Sequence, residues 1–192
     1  MSKSEARKEA LKLRRQLSPR EVQALSASVR ENLLHLPEYN ASQIIACYVA
    51  KQHEVQTAEI LKMALASGKR IVVPRSDPVS FSLTFHEIHG LDELQLGNFG
   101  VLEPAQDSKT ISLTKVDLVI VPVVAWDSRG NRMGYGMGYF DRALKDKGKV
   151  RCVGLAFEIQ LRDPLPTSST DIPLDMIITE KRVVRFEKEG RW

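Results

Sequence analysis

The feature that most constrains the fold of this chain is a repeated exchange between two hydrophobic periods. Short apolar runs rich in Ile and Val fill residues 44–49, 71–74, 117–124 and 150–157. Segments with helical spacing stand between and before them. Residues 4–17 carry Ala6, Ala10, Leu13 and Leu17 on one helical face. Ser18-Pro19-Arg20-Glu21 is a helix start, with Ser as the cap, Pro at the first position and Glu three residues on. The stripe Val22, Leu25, Val29 and Leu33 follows it. Thr57 is expected to cap a helix that stops at Gly68, and another helix is expected from about Tyr139 to Lys147, stopping at Gly148. Strands alternating with helices imply right-handed crossovers. The fold expected is α/β: a single three-layer domain with a mainly parallel sheet and helices on both faces. The alternating run Phe81-Ser82-Leu83-Thr84-Phe85 suits an edge or hairpin strand. Residues 177–179 and 183–186 read as short strands. No repeat or linker interrupts residues 1–192, which read as one domain.

The chain has 192 residues, enough for a sizeable core. Its 43% hydrophobic and 27% charged residues are globular values, so disorder is not expected. The longest apolar stretch, residues 118–126, is interrupted by Pro122 and falls well short of the roughly 18 residues of a membrane span. The opening MSKSEARKEA has no apolar core and does not read as a signal peptide, so a cytoplasmic protein is expected. Cys47 and Cys152 lie in strand-like runs and read as buried free thiols. A net charge of +4 favours anionic ligands without naming one. Acidic residues are interleaved with the basic ones, so no nucleic-acid stripe stands out. A monomer acting on small molecules is expected.

Ligands of open α/β sheets bind beyond the carboxyl ends of the strands. The segment in that position, after the run 117–124, reads Asn131-Arg132-Met133-Gly134-Tyr135-Gly136-Met137-Gly138-Tyr139-Phe140-Asp141-Arg142. Three glycines at alternate positions let the backbone approach an anion closely. Successive N–H groups can form a concave nest, and the helix that follows adds its positive end. Arg132 offers a fork suited to phosphate, and Asp141 an oxygen ligand suited to Mg²⁺. A nucleotide triphosphate is the expected guest. The loop lacks the Gly-Lys-Ser/Thr of a P-loop, and Tyr139 stands where G-x-G-x-x-G needs its last glycine. A plain strand-to-helix turn is the other reading.

Elsewhere the chemistry is thinner. On the first helix Lys3, Arg7 and Arg14 share a line bordering the apolar stripe, while Lys8, Lys12 and Arg15 point to solvent. They suit either a site or a solvated basic face. Glu54 follows the first strand, where a carboxylate could read ligand N–H groups or simply be a loop charge. His86 and His89 lack a helical frame for metal, and Ser168-Ser169-Thr170 has no Ser/His/Asp context. Asp171 and Asp175 could give carboxylates to a metal, or be turn residues.

The segment from Pro122 to Arg142 resembles the long glycine/aromatic signature of the 5-formyltetrahydrofolate cyclo-ligase family. The resemblance extends to Lys3-x-x-x-Arg7, to Glu54 in the segment leading to Thr57, to Pro74-Arg75, and to the Asp-x-x-Leu-Asp-x-Ile-x-Thr pattern of residues 171–179. It implies an ATP- and Mg²⁺-dependent closure of 5-formyltetrahydrofolate to 5,10-methenyltetrahydrofolate, releasing ADP and phosphate. By position it implies ATP binding by Lys3, Arg7, Arg132, Met133, Gly134, Tyr135, Gly136, Met137, Gly138, Tyr139 and Phe140. It implies folate contacts from Val49, Glu54, Tyr135 and Tyr139, and Mg²⁺ at Asp141 and Asp175. Arg132, Tyr139 and Asp141 would be the catalytic set. Tyr135 and Met137 stand where members often have Gly or a basic residue, Phe140 where many have Tyr, and Ser169-Thr170 where some have Glu-x-His. A folate- or nucleotide-binding paralogue without turnover, and a nucleic-acid-binding protein using the basic first helix, are the alternatives.

Overall fold

The computed structural model describes residues 2–186; the expected domain bounds of 1–192 reach past these at both ends. The chain opens with helices α1 (Lys3–Arg15), α2 (Pro19–Leu34) and α3 (Pro37–Ala41). Strand β1 (Ile44–Cys47), helix α4 (Ala58–Ala66) and strands β2 (Arg70–Asp77) and β3 (Ser82–Ile88) follow. Then come short strands β4 (Leu94–Leu96) and β5 (Leu102–Pro104), and the core strand β6 (Leu118–Pro122). A two-residue ribbon, β7 (Ala125–Trp126) and β8 (Arg132–Met133), precedes α5 (Tyr139–Lys145). Strands β9 (Arg151–Leu155), β10 (Met176–Ile178) and β11 (Val183–Arg185) close the described chain.

Seven strands form one sheet in the order β11-β10-β9-β6-β1-β2-β3. The five inner strands run parallel; β3 and β11 are antiparallel edges. The run at residues 81–85 thus belongs to a hairpin, paired with β2 through Pro74 opposite Phe85. Because both faces are buried, β6 reads as continuous Leu-Val-Ile-Val rather than as an alternation. On one face Val29, Leu33, Ile60 and Leu61 pack on Ile45, Ile71, Ile120 and Val153. On the other, Trp126 and Leu144 pack on Val72, Val119, Cys152 and Ile177. Helix α1 lies apart from both, with Ala6 and Ala10 against Val124, Ala125, Met133 and Leu165. The two alanines let the helix approach the β7–β8 ribbon closely.

The starts of α1 and α2 follow local chemistry, whereas α3, α4 and α5 begin without a side-chain cap bond. Ser18 and Glu21 form the expected capping box, and Ser2 with Glu5 forms another at α1. Gly68, at φ +81°, ends α4 in the left-handed conformation expected of it. Thr57 makes no cap bond. Its hydroxyl donates to Tyr48 O at 2.9 Å and accepts from Ala50 N–H at 3.1 Å, tying the turn after β1 to α4. The thiols of Cys47 and Cys152 are buried and unbridged, and burial pushes the Cys47 thiol far up. Among the described residues no helix is long and apolar enough to cross a membrane.

Candidate functional site

The carboxyl ends of β1, β2 and β6 open into a cavity of about 850 Å³. Tyr48 and Val49 leave β1 into it, Pro74 and Ser76 belong to β2, and Pro122 ends β6. The glycine loop forms one wall. Its backbone turns where it does because Gly136 and Gly138 take φ +103° and +68°, which side chains resist. A Cβ on Gly136 would stand 3.0 Å from Arg7 Cζ. Arg7 Nε donates to Gly134 O at 2.9 Å, so α1 holds the loop through a cation that also faces the cavity.

At the far end of this wall lies a group of charges. Arg132, buried on β8, donates from Nη2 to Asp141 Oδ1 at 2.8 Å. The same oxygen accepts from Ile172 N–H at 3.2 Å. Asp171 next to it takes a 2.5 Å bond from Lys3 Nζ, which also donates to Ser168 Oγ at 2.9 Å. Burial pushes the Asp171 carboxyl up, but the Lys3 ammonium and the Ser168 donors together hold it below the usual value. Asp141 and Asp171 both line the cavity.

Another part of the lining is built from side chains. Glu54 is buried, with Oε2 accepting from Lys51 N–H at 2.7 Å and Oε1 from the Tyr135 hydroxyl at 2.7 Å. Over the middle stand three rings: Tyr139 lies 6.2 Å from Phe81 and 5.9 Å, edge on, from Phe99. Lys51 Nζ lies over the Phe99 and Tyr135 rings, and Arg142 over Phe81 and Tyr139.

The fold thus brings together Lys3, Arg7, Val49, Glu54 and every residue from Arg132 to Asp141 around one cavity. Asp175, expected as a second metal residue, is not among those lining it. Its Oδ2 accepts from Cys152 N–H at 2.7 Å and lies 3.7 Å from Lys147 Nζ, near the amino ends of β9 and β10. The cavity is at the opposite ends of the strands. Asp171, four residues earlier, is the carboxylate of that segment that lines the cavity. Sequence reasoning gave no site role to Lys51, Phe99, Glu103, Arg142 or Lys145, which also line the cavity. The sequence signal near Phe99 is the pair of glycines in Gly-Asn-Phe-Gly, which marks a turn, and there Phe99 takes φ 57°.

A model of the 5-formyltetrahydrofolate cyclo-ligase family matches residues 1–180. This chain belongs to that family. The Escherichia coli K12 5-formyltetrahydrofolate cyclo-ligase is 30% identical over 174 residues, covering 88% of this chain and 96% of that protein. The structure of Aquifex aeolicus 5,10-methenyltetrahydrofolate synthetase superposes with a TM-score of 0.86 at 36% identity, over all of this chain and 96% of that one. A Mycoplasma pneumoniae 5,10-methenyltetrahydrofolate synthetase gives 0.76 at 23% identity, covering 94% and 99%, and shares the fold. Within the cyclo-ligase frame the cavity has two unlike ends, one rich in backbone N–H groups and cations, the other closed by a buried carboxylate.

Proposed function

We propose that the cavity binds ATP along the glycine loop and 5-formyltetrahydrofolate against Glu54, and joins them in an ATP-dependent cyclisation to 5,10-methenyltetrahydrofolate. The observation that carries this reading is that one cavity holds both ends at once, with Lys3, Arg7 and the loop on one side and Glu54 on the other. A triphosphate needs donors and cations; a pterin offers adjacent N–H groups that a carboxylate can accept as a pair. Each Glu54 oxygen makes one bond already and keeps a second lone pair for a ligand.

The donor set also suits Mg²⁺. That ion is usually held by one or two carboxylates together with phosphate oxygens and water, and Asp141 with Asp171 beside it supplies that number at the phosphate end. Bound there, it would neutralise charge on the β- and γ-phosphates. Asp141 Oδ1 is already engaged by Arg132 and Ile172. Oδ2 makes no hydrogen bond among the described residues.

A formamide carbonyl is a poor electrophile and its oxygen a poor leaving group. The formyl oxygen attacks the γ-phosphorus of ATP, the bond to the ADP oxygen breaks, and an imidate phosphate results. N10 then adds to the formyl carbon, loses its proton, and the C–O bond breaks with release of phosphate. Phosphoryl transfer asks a protein mainly for positioning and charge stabilisation. Lys3, Arg7 and Arg132 with the loop N–H groups meet that need, and no protein nucleophile is required. Tyr139, between Phe81 and Phe99, sits where it can cover the reacting atoms from water.

The test is direct. Protein, Mg²⁺-ATP and 5-formyltetrahydrofolate are mixed and the near-UV absorption of the methenyl product is followed. Product should form only with ATP and Mg²⁺ both present; equal product without ATP, or none at all, would refute the proposal.

A further inference from the structure

We propose that Arg14 is a positioning residue for the folate end of the cavity, acting through the Tyr135 hydroxyl on the Glu54 carboxylate. It rests on the reading of Glu54 as the pterin acceptor and adds to it the residues that aim that acceptor.

Arg14 lies on α1 and is 3% exposed, although its neighbours Lys12 and Arg15 are out in solvent. A buried guanidinium is costly unless a negative partner and hydrogen bonds compensate it. Among the described residues Arg14 forms no salt bridge with a carboxylate. Nη1 donates to Val123 O at a long 3.3 Å, Nε is buried without a hydrogen-bond partner among the described residues, and Nη2 makes a short 2.6 Å bond to the Tyr135 hydroxyl. That hydroxyl donates in turn to Glu54 Oε1 at 2.7 Å. The direction of the relay is forced. Arginine can only donate and an ionised carboxylate can only accept, so the phenol must accept from one and donate to the other. Its rotor has one setting.

The consequence is a carboxylate fixed from both sides. Oε1 is held by Tyr135 and Oε2 by Lys51 N–H at 2.7 Å. Lys51 Nζ, 4.8 Å above the Tyr135 ring, also fixes the ring. The Tyr135 ring is partly open to the cavity, but its hydroxyl is sunk between the two charges. Burial, with the Glu54 charge next, pushes it up to about 12 against the opposing pull of Arg14. It is a proton donor at any working pH. Main-chain contacts alone do not require this construction: packing α1 on the ribbon is already done by Ala6 and Ala10, which are fully buried there.

Steady-state turnover at varied 5-formyltetrahydrofolate and varied Mg²⁺-ATP tests the relay in Y135F, R14M and the double variant, with R14K as the version that keeps the charge. Y135F and R14M should each raise the folate KM about tenfold and leave the ATP KM within about twofold. The double variant should be no worse than the poorer single one, since either change breaks the same link. R14K should recover part of the loss, and it stands in for R14M if the latter does not fold. An unchanged folate KM in Y135F overturns the relay, as does a double variant whose losses multiply or an ATP KM that rises in step. Wild-type protein that makes no methenyl product overturns the proposed function, and the relay with it; normal wild-type turnover with an insensitive Y135F overturns the relay alone.

Discussion

The two ends of the cavity are built from different materials. The proposed phosphate end is built on backbone, with Gly134, Gly136 and Gly138 set by two positive φ angles and braced by Arg7, and on the charges beside it. The proposed folate end is mostly side chain: Glu54, Tyr135 and Arg14 in a chain of short bonds. Backbone donors keep their place when the side chains above them change, whereas an aimed carboxylate depends on each atom that aims it. The first end should therefore be sensitive to charge and to glycine, and the second to single polar atoms.

The largest effect that sharpens this contrast is expected at the proposed phosphate end, at the Asp141 carboxylate. Asn in place of Asp141 can still accept from Arg132 and Ile172 through Oδ1, so the fold should lose only about 1 kcal/mol, the value of weakening a charged hydrogen bond. If Asp141 holds Mg²⁺ as proposed, the lost negative charge removes a hard ligand from the ion and with it charge stabilisation of the transferred phosphoryl group. Terms of that kind are worth roughly 10²–10³ in rate. Initial rates of D141N against Mg²⁺ concentration should show a loss of at least about a hundredfold, partly recovered by raising Mg²⁺. Near-normal turnover with an unchanged Mg²⁺ requirement would leave Asp141 only as the partner of Arg132.

At the other end, Glu54→Gln replaces one acceptor oxygen with a donor. One bond of the expected pair to the pterin becomes repulsive, and so does either the Tyr135 or the Lys51 contact. A loss of about 2–3 kcal/mol in folate binding is expected, roughly 30- to 150-fold, at the upper range for a charged hydrogen bond. Titration calorimetry with folate and with ATP separately checks it: ATP affinity should barely move. Equal weakening of both ligands would mean that the two ends are not independent, and the comparison would fail.

Arg7→Met should act in the opposite sense, raising the apparent ATP Kd about tenfold with little change for folate, as expected for one charged contact. It also removes the brace on Gly134 O. Unchanged ATP affinity at matched thermal stability would reduce Arg7 to a structural strut.

The backbone of the glycine loop was also the easier part to read in the sequence, for the same reason. Glycine spacing is a local signal, and Gly136 and Gly138 take the positive φ that their type suggests. The parallel sheet was legible because continuous apolar runs belong to strands buried on both faces. Arg14 was not legible. It shares a line with Lys3 and Arg7, but the face that α1 buries is Ala6, Ala10 and Arg14 rather than one centred on Leu13 and Leu17. What turns the helix is the β7–β8 ribbon, two residues per strand and too short for any periodicity to reveal. That Asp171 and not Asp175 lines the cavity was not legible either. Both carry a carboxylate near the last strands, and only the position of the turn before β10 decides which one faces the cavity. Thr57 had the right type and place for a cap, but tertiary contacts with Tyr48 and Ala50 claimed its hydroxyl.

The smallest expected effect probes the contrast most directly. Met137 lies in the middle of the glycine loop, where its neighbours Gly136 and Gly138 set the backbone, and its side chain is 46% exposed. Its carbonyl accepts from Arg142 Nη2 at 2.5 Å, a bond that does not depend on the side chain. If the loop binds phosphate through main-chain donors, Met137→Ala leaves every one of them in place. An exposed substitution away from the core costs the fold within about 0.5 kcal/mol, and kcat and the ATP KM should both stay within about twofold. Glycine at the same position is a harsher control, since it frees the backbone of a loop already containing three glycines and would weaken ATP by loosening the nest rather than by removing a contact. A normal alanine variant beside an impaired glycine variant is the pattern expected of a backbone site. A large loss in the alanine variant would show that the thioether itself contacts the nucleotide, and the phosphate end would then belong, like the folate end, to the side chains.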